Sequence, residues 1–414
     1  MGKDRVGGSG VSSAEMWERL EELVREQAQA FVQRVLEEEV TEFLGRRKSE
    51  RRAEVDGGSG YRNGYGKPRR LAMSSGTITL RRPRVRDLEE RFESRVLPLF
   101  ARRTKEIGAL LPELYLHGLA EGDFELAFRG LLGEGAPLSK SSIRRLRQDW
   151  NAEFEAWGAR PLGGREVVYL WADGVYVKAG LEKDKAALLV VMGALSDGTK
   201  ELLAVVPGYR ESSESWGAVF RDLRDRGVRP PRLILADGNA AIWAAAREIW
   251  PESREQRCWN HKMRNVLDRL PKREQKEARD LLRAIVYAPS RQAALKARSH
   301  FEKRYRPWYP KAVDVLEDDW DRLATFYDFP EEHWRHLRTT NVVESPFASV
   351  RLRTSAAKRF KRVDSATTLI WKLLTVAEKR FRKLNAPHLL RQVAEGKIFK
   401  DGKPVPTAHG RVAA

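Results

Sequence analysis

The sequence predicts a mixed α/β fold, and three observations carry that expectation. Residues 167–171, 187–195, 202–206 and 233–236 are short apolar runs bounded by Gly, Pro and Asp-Gly, the texture of buried strands. Longer stretches on either side of them repeat apolar residues at helical spacing. Two of the runs lead into Asp-Gly, at Asp173-Gly174 and Asp237-Gly238. An acid at the carboxyl end of a core strand stands where α/β sheets place ligands and metals.

A chain of 414 residues is too long for one small core and should divide into two to four domains. Its formal net charge is +19, carried mostly by arginine, in a chain that is 42% hydrophobic and therefore able to fold. Arginine grips phosphate bidentately, so a charge of this size points to nucleic acid before it points to a merely solvated basic surface. One cysteine excludes an internal disulfide framework and suits a reducing compartment. No apolar run approaches the roughly 18 residues that span a bilayer, and residues 1–16 lack the apolar core of a signal peptide. The expectation is a soluble cytoplasmic protein with a short flexible leader over residues 1–13.

Residues 14–44 read as an amphipathic helix ended by Gly45. Arg62-Asn63-Gly64 is a turn signal, and 77–80 alternates like a half-buried strand before the basic run Arg81-Arg82-Pro83-Arg84-Val85-Arg86. This small basic β element suits either a grip on a DNA backbone or a charged edge that blocks aggregation. Three short helices follow at 106–117, 123–132 and 140–150, the third capped by Ser139 and carrying Arg144, Arg145 and Arg147. That is helix-turn-helix spacing with a basic third helix able to enter a major groove. Trp150, Phe154 and Trp157 read as core. The strand at 167–171 ends at Asp173, with 175–179 as its continuation or hairpin partner, and strands 187–195 and 202–206 are joined by Ser196-Asp197-Gly198. A helix over 213–226 leads to strand 233–236, then a helix runs until Pro251. Antiparallel strands, a helix and a further strand make the layout of a ribonuclease-H-like core. Some seventy helical residues follow His261, an all-α insertion. Asn341-Val342-Val343-Glu344 fits a capping box, with Ala348, Arg351 and Ser355 on the face of Glu344. Helices over 364–384 and 388–399 and a disordered tail after Gly402 close the chain.

Asp173, Asp237 and Glu344 form a carboxylate set of the kind hard divalent cations favour, and a pair of magnesium ions on such a set can drive in-line phosphoryl displacement. Asp184, Asp197 and Asp225 read as solvated charges. Asp314, Glu317, Asp318 and Asp319 are a rival acidic group inside the helical insertion. Cys258-x2-His261 invites a zinc reading completed by His333 and His336, ranked below a buried structural histidine. Lys262, Arg264, Arg351 and Arg353 flank the acids and are assigned to phosphate neutralisation. Trp216, Trp243 and Trp259 read as core.

Together, Asp173 in LWADGVYVK, Asp237 in LILADG, Gln256-Arg257-Cys258 with His261, and Arg338-Thr339-Thr340-Asn341 leading to Glu344 resemble the signature of the IS256 or Mutator-type DDE transposases. The resemblance covers nearly the whole chain. It implies a ribonuclease-H-like catalytic domain over 161–262 and 336–384, an all-α insertion over 263–335, and a C-terminal helix and tail over 385–414. Ahead of these it implies mainly helical DNA-binding N-terminal domains, 14–100 for dimerisation and DNA binding and a helix-turn-helix-like segment over 101–160. It further implies Asp173, Asp237 and Glu344 as catalytic residues holding two Mg2+ ions, for which Mn2+ may substitute, with Cys258 and His261 packed near the core. The implied function is DNA cleavage at transposon ends followed by strand transfer, by a homodimer on double-stranded DNA, associated with a prokaryotic nucleoid. The alternatives are a transposase-derived DNA-binding protein that no longer cuts and a nuclease that cuts without joining.

Overall fold

The computed structural model describes residues 12–50, 60–87, 90, 92–97, 103–119, 123–133, 140–179, 186–208, 212–357 and 360–406. The chain is mixed α/β and divides into two compact units, Met1–Arg147 and Gln148–Ala414.

The first unit is built on α1 (Ser13–Leu44). Ser12 caps it: its hydroxyl accepts from the Glu15 N–H at 3.2 Å, and its own N–H donates to the Glu15 carboxylate at 2.7 Å. Gly45 ends it in the left-handed region at φ 65°. Leu36 and Val40 bury one face of α1 against Leu71, Ile78, Leu80 and Leu97. Leu71, Ile78 and Leu80 belong to a hairpin and its neighbours: β1 (Tyr61–Tyr65) pairs with β4 (Pro83–Arg86), and β2 (Arg69–Met73) pairs with β3 (Gly76–Leu80). The outer edge of β3 is satisfied by helix side chains, since Gln29 accepts from the Thr79 N–H at 2.9 Å and Gln33 from the Arg81 N–H at 3.0 Å. Arg62-Asn63-Gly64 is therefore not a turn. It lies inside β1, where the register with β4 shifts between Arg62 and Tyr65, and Gly64 supplies the positive φ of a bulge. Then come α2 (Lys105–Leu116), α3 (Phe124–Leu132) and α4 (Lys140–Gly158). Ser139, expected to cap α4, lies outside the described residues.

Helix α4 runs eight residues beyond the expected end, and the boundary between units falls within it. Its second half packs as core: Trp150 is buried, and the Phe154 and Trp157 rings sit 5.4 and 5.8 Å from that of Trp371.

The second unit is organised by a five-stranded sheet, formed by β5 (Val167–Val177), β6 (Ala186–Leu195), β7 (Lys200–Gly208), β8 (Leu233–Ala236) and β9 (Arg254–Arg257), in the order β7-β6-β5-β8-β9. The β5, β6 and β7 strands are antiparallel; β8 and β9 run parallel to β5. On one face α5 (Ser213–Asp225) and α6 (Ala240–Ile249) set Trp216, Phe220, Ile242 and Ala246 against Leu170, Ala172, Leu189 and Ile234. Trp216, Trp243 and Trp259 are all buried, as expected. The opposite face of β5 presents Tyr169, Trp171 and Asp173, by the two-residue alternation of a strand. Helices follow: α7 (Trp259–Leu267), α8 (Gln275–Val286), α9 (Arg291–Tyr305), α10 (Pro310–Glu317), α11 (Trp320–Leu323) and, past two 3-10 turns, α12 (Trp334–Leu337). Next are α13 (Asn341–Glu344), α14 (Phe347–Ala357), α15 (Val363–Glu378) and α16 (Pro387–Ala394). The chain after Gly402 is not shapeless at once, because β10 (Phe399–Lys400) pairs with β11 (Lys403–Pro404).

Candidate active site

The site grows from the pairing of β5 with β8. Tyr169 stands opposite Leu233, Leu170 opposite Ile234 and Trp171 opposite Leu235. Carrying that parallel register two residues on sets Asp173 level with Asp237. Asp173 does not end its strand: β5 continues straight through Asp173-Gly174 to Val177, with Asp173 paired to Val190 of β6. The acid is thus held by strand pairing on its β6 side and is buried. Asp237 follows β8 directly, and its carboxylate accepts from the Asn239 N–H at 2.9 Å, the turn that starts α6.

Glu344 arrives from a different part of the chain. It closes α13, a four-residue helix interrupted by Ser345 and Pro346 before α14. Asn341 is not its cap. Thr340 takes the N-cap place, the Thr340 hydroxyl donates to Glu344 Oε1, and Asn341 Oδ1 accepts instead from Asn260 at 3.0 Å. Because Pro346 breaks the helix, Ala348, Arg351 and Ser355 do not continue one face from Glu344.

Glu344 and Asp237 both act on Asp173. Its carboxyl is pushed up to about 7, first by burial, then by the negative charges of Glu344 and Asp237, with His261 and the Gly174 N–H opposing. This is the mark of an acidic cluster with too little positive charge inside it. Several other acids of the unit are partnered instead. Asp319 receives Arg257, Lys262 and Arg322; Asp314 and Glu317 receive Arg306; Asp197 receives Thr199 and Lys383; and Asp225 receives Arg224. The rival acidic group is therefore largely a set of ion pairs. Asp184 lies outside the described residues.

Cys258 and His261 border the same cluster. Cys258 is the N-cap of α7, and His261 Nδ1 lies 3.9 Å from Glu344 Oε1. Ligand atoms of Cys258, His261 and Glu344 all fall within 4.8 Å of one another. The zinc reading through His333 and His336 fails on geometry. His333 is buried, with Nδ1 2.8 Å from the Tyr169 hydroxyl and Nε2 3.2 Å from the Ala386 carbonyl, and burial lowers its pKa. His336 is likewise a packing residue, pushed down to about 4 first by burial and then by Lys200, while its carbonyl accepts from Trp171. The Cys258 thiol is buried, burial raises its pKa, and its sulfur is in hydrogen-bond contact with the Thr340 N–H and hydroxyl. The three carboxylates of Asp173, Asp237 and Glu344 are oxygen donors of the kind that suit magnesium.

Four of the seven expected phosphate-binding cations are exposed: Arg144 and Arg145 on α4, Arg264 on α7 and Arg351 on α14. Arg147 is half-buried. Lys262 is a correction. It shares the inward face of α7 with Trp259 and Val266 and lies 2.5 Å from Asp319, with 2% exposure. Burial pulls its pKa down, yet Asp319 is held below the usual carboxylate range, against its own burial, by Lys262, Arg257 and Arg322. Three cations around one carboxylate favour the ionised pair. Arg353 is a second correction, since it follows Phe347 and Val350 at three-residue steps on the buried side of α14. Thr340 and Arg257, which the sequence shows only as parts of the signature, take definite places in the structure, Thr340 against Glu344 and Arg257 against Asp319. The Arg257 guanidinium sits so close to Gly238 that a Cβ there would meet it at 2.4 Å.

A mixed α/β unit that gathers one strand acid, one strand-end acid and one helix acid belongs to the broad class of sheet proteins with a carboxylate site at neighbouring strand ends. The family model for the Mutator family of transposases matches residues 9–383, and the chain belongs to that family. It is 45% identical over 294 residues to the transposase of insertion sequence element IS6120 from Mycolicibacterium smegmatis, covering 71% of this chain and 91% of that one. Against the IST2 transposase of Acidithiobacillus ferrooxidans the identity is 42%, over 66% of this chain and 93% of the other. Against the IS256 transposase in transposon Tn4001 of Staphylococcus aureus it is 26%, over 82% and 86%.

Proposed function

We propose that the chain is a metal-dependent DNA transposase that cleaves at transposon ends and joins the freed end to a target, with Asp173, Asp237 and Glu344 as its catalytic acids. The observation that carries this reading is the convergence of three acids from separate segments, Asp173 level with Asp237 across the β5–β8 pair and Glu344 of α13 acting on Asp173, a concentration of negative charge that a divalent cation would neutralise. The sheet order β7-β6-β5-β8-β9, three antiparallel strands and two parallel ones, supports a ribonuclease-H-like core, with the helices after His261 as its insertion.

Two Mg2+ ions would be held by the three carboxylates and, when bound, supply a Lewis acid at both the attacking and the leaving oxygen. Water attacks phosphorus, the bond to the 3′-oxygen breaks, and the resulting 3′-hydroxyl attacks a second phosphodiester, which exchanges one such bond for another. Within this scheme Asp173 would hold the cation as an ionised carboxylate. Glu344 and Asp237 orient from the two flanking segments, and His261, with Nδ1 buried and unbonded, can hold a proton beside Glu344. Arg264 and Arg351 would meet phosphate near the site, and Arg144 and Arg145 would contact the transposon end. No helix among the described residues is long and apolar enough to cross a membrane. Two ends must be held together, and the exposed apolar side of α1 favours a homodimer.

The test is cleavage of DNA carrying the element's terminal repeats. Asp237→Ala should lose Mg2+-dependent nicking and strand transfer while keeping end binding within about threefold. A folded Asp237→Ala protein that still nicks contradicts the proposal, and a wild-type protein that binds ends without nicking would make it a DNA-binding protein only.

A further inference from the structure

We infer that Thr340 is a positioning residue for the acidic site: through its hydroxyl and Cys258 it ties Glu344 to the strand end that carries Asp237, and so sets the direction in which Glu344 faces a divalent cation. This rests on the reading of Glu344 as a metal ligand. Glu344 is poorly anchored by its own helix, which is four residues long and stops at Ser345 and Pro346. Among the described residues the Thr340 hydroxyl is the one side chain that donates a hydrogen bond to its carboxylate, and His261 at 3.9 Å is too far for one.

The Thr340 hydroxyl touches two acceptors, Glu344 Oε1 and Cys258 Sγ at 3.1 Å, but owns one proton. The carboxylate is the stronger acceptor and the closer contact, so the proton points to Glu344. The hydroxyl still lies 3.1 Å from Cys258 Sγ, and the Thr340 N–H donates to the same sulfur at 3.3 Å. Cys258 is itself fastened, because its N–H donates to the Ala236 carbonyl at 2.8 Å, one residue before Asp237. The next residue repeats the tie, with the Trp259 N–H donating to the Arg338 carbonyl at 2.9 Å. A run of hydrogen bonds thus leads from the end of β8 through Cys258 and Thr340 to one oxygen of Glu344, and leaves the other oxygen for the cation. Thr340 and Cys258 are fully buried, so neither is a surface accident. Ligand-orienting groups of this kind typically change metal affinity by about 10- to 100-fold when removed.

The experiment compares Thr340→Val, Thr340→Ser and Glu344→Gln in the full chain. It measures Mn2+ binding to the DNA-free protein by electron paramagnetic resonance, the Mg2+ concentration for half-maximal nicking, and affinity for end DNA. Thr340→Val should weaken Mn2+ binding and raise the Mg2+ requirement about tenfold with end affinity unchanged. Thr340→Ser, which keeps the hydroxyl, should stay within about twofold of wild type. Wild-type Mn2+ affinity in Thr340→Val overturns the inference, and so does a serine variant as impaired as the valine, since packing alone would then explain both. If the valine does not fold, Thr340→Ala removes the hydroxyl without crowding Cys258 and carries the same expectation. Glu344→Gln separates the premise: unchanged Mn2+ binding there refutes Glu344 as a ligand, whatever Thr340 does.

Discussion

Asp173 is the residue on which function and stability pull in opposite directions. Burial and the charges of Glu344 and Asp237 push its carboxyl up to about 7 in the folded protein, from about 4 in the unfolded chain, so between those values the folded protein holds a proton the unfolded chain has released. The contribution of this group to stability is full below about pH 4 and gone above about pH 7. Asp173→Asn removes the buried charge; the metal-free variant should melt higher than wild type at pH 8, with the gap closing toward pH 5, while Mg2+-dependent nicking is lost. A calorimetric melt series across that range, with no gap at pH 8, would contradict the environment described for this acid. The opposite case is Asp319, whose carboxylate balances Lys262 and Arg257 in a buried cluster. Asp319→Ala leaves those cations unpaired and should cost about 3 kcal/mol in urea unfolding, a loss of breaking rather than of net pair strength. At this scale Asp237 and Glu344 sit at a strand end and a helix end that pattern reveals, whereas Asp173 lies inside β5, where the Asp-Gly that reads as a strand end is carried straight through. The burial of Lys262 and Arg353 could not be read from pattern, because a basic residue on an apolar face is read as surface until its partner is known. Asp319, 57 residues further along, is that partner for Lys262.

Among the elements, the strands rich in Val, Leu and Ala were legible and β9 was not. Arg254-Glu255-Gln256-Arg257 has no apolar residue, and it becomes a strand only because β8 offers it a parallel edge. Gln256 is buried there, its amide donating to the Leu323 carbonyl and accepting from the Phe326 N–H. The capping box at Asn341 misled for a related reason: Thr340 competes for the same N-cap and wins through Glu344 and Cys258. Two elements give predictions. Gly238, at φ 102° and against Arg257, links β8 to α6 immediately after Asp237. Gly238→Ala should destabilise by about 1–3 kcal/mol and depress nicking, measured by urea midpoint and turnover together. Helix α1 buries Leu36 and Val40, while Trp17, Leu20, Val24 and Phe31 stay exposed. Trp17, Leu20, Val24, Gln27 and Phe31 follow one another at alternating three- and four-residue steps, the seam that pairs helices, with Gln27 as its one polar position. Val24→Glu should therefore convert a dimer into a monomer by light scattering, and a wild-type monomer at tens of micromolar would remove the basis for pairing through α1.

For the whole molecule, charge and sheet have separate work. On the proposed function, the net charge of +19 would supply an attraction to DNA that is indifferent to sequence and falls with salt. Arg264→Ala and Arg351→Ala should each lower the slope of log K against log salt by about 1, whereas Lys262, sealed in its ion pair, should leave the slope unchanged once fold is controlled for. The sheet has the other task, because only its β5–β8 pairing sets two acids 64 positions apart in the chain side by side, and only the returning α13 brings the third. The most direct measurement is anomalous X-ray scattering from crystals of the protein bound to end DNA and soaked in Mn2+. The expected result is manganese among the carboxylates of Asp173, Asp237 and Glu344, as two peaks about 4 Å apart. Manganese seated on Cys258 and His261 away from Asp173, or absent from all three acids, would contradict it.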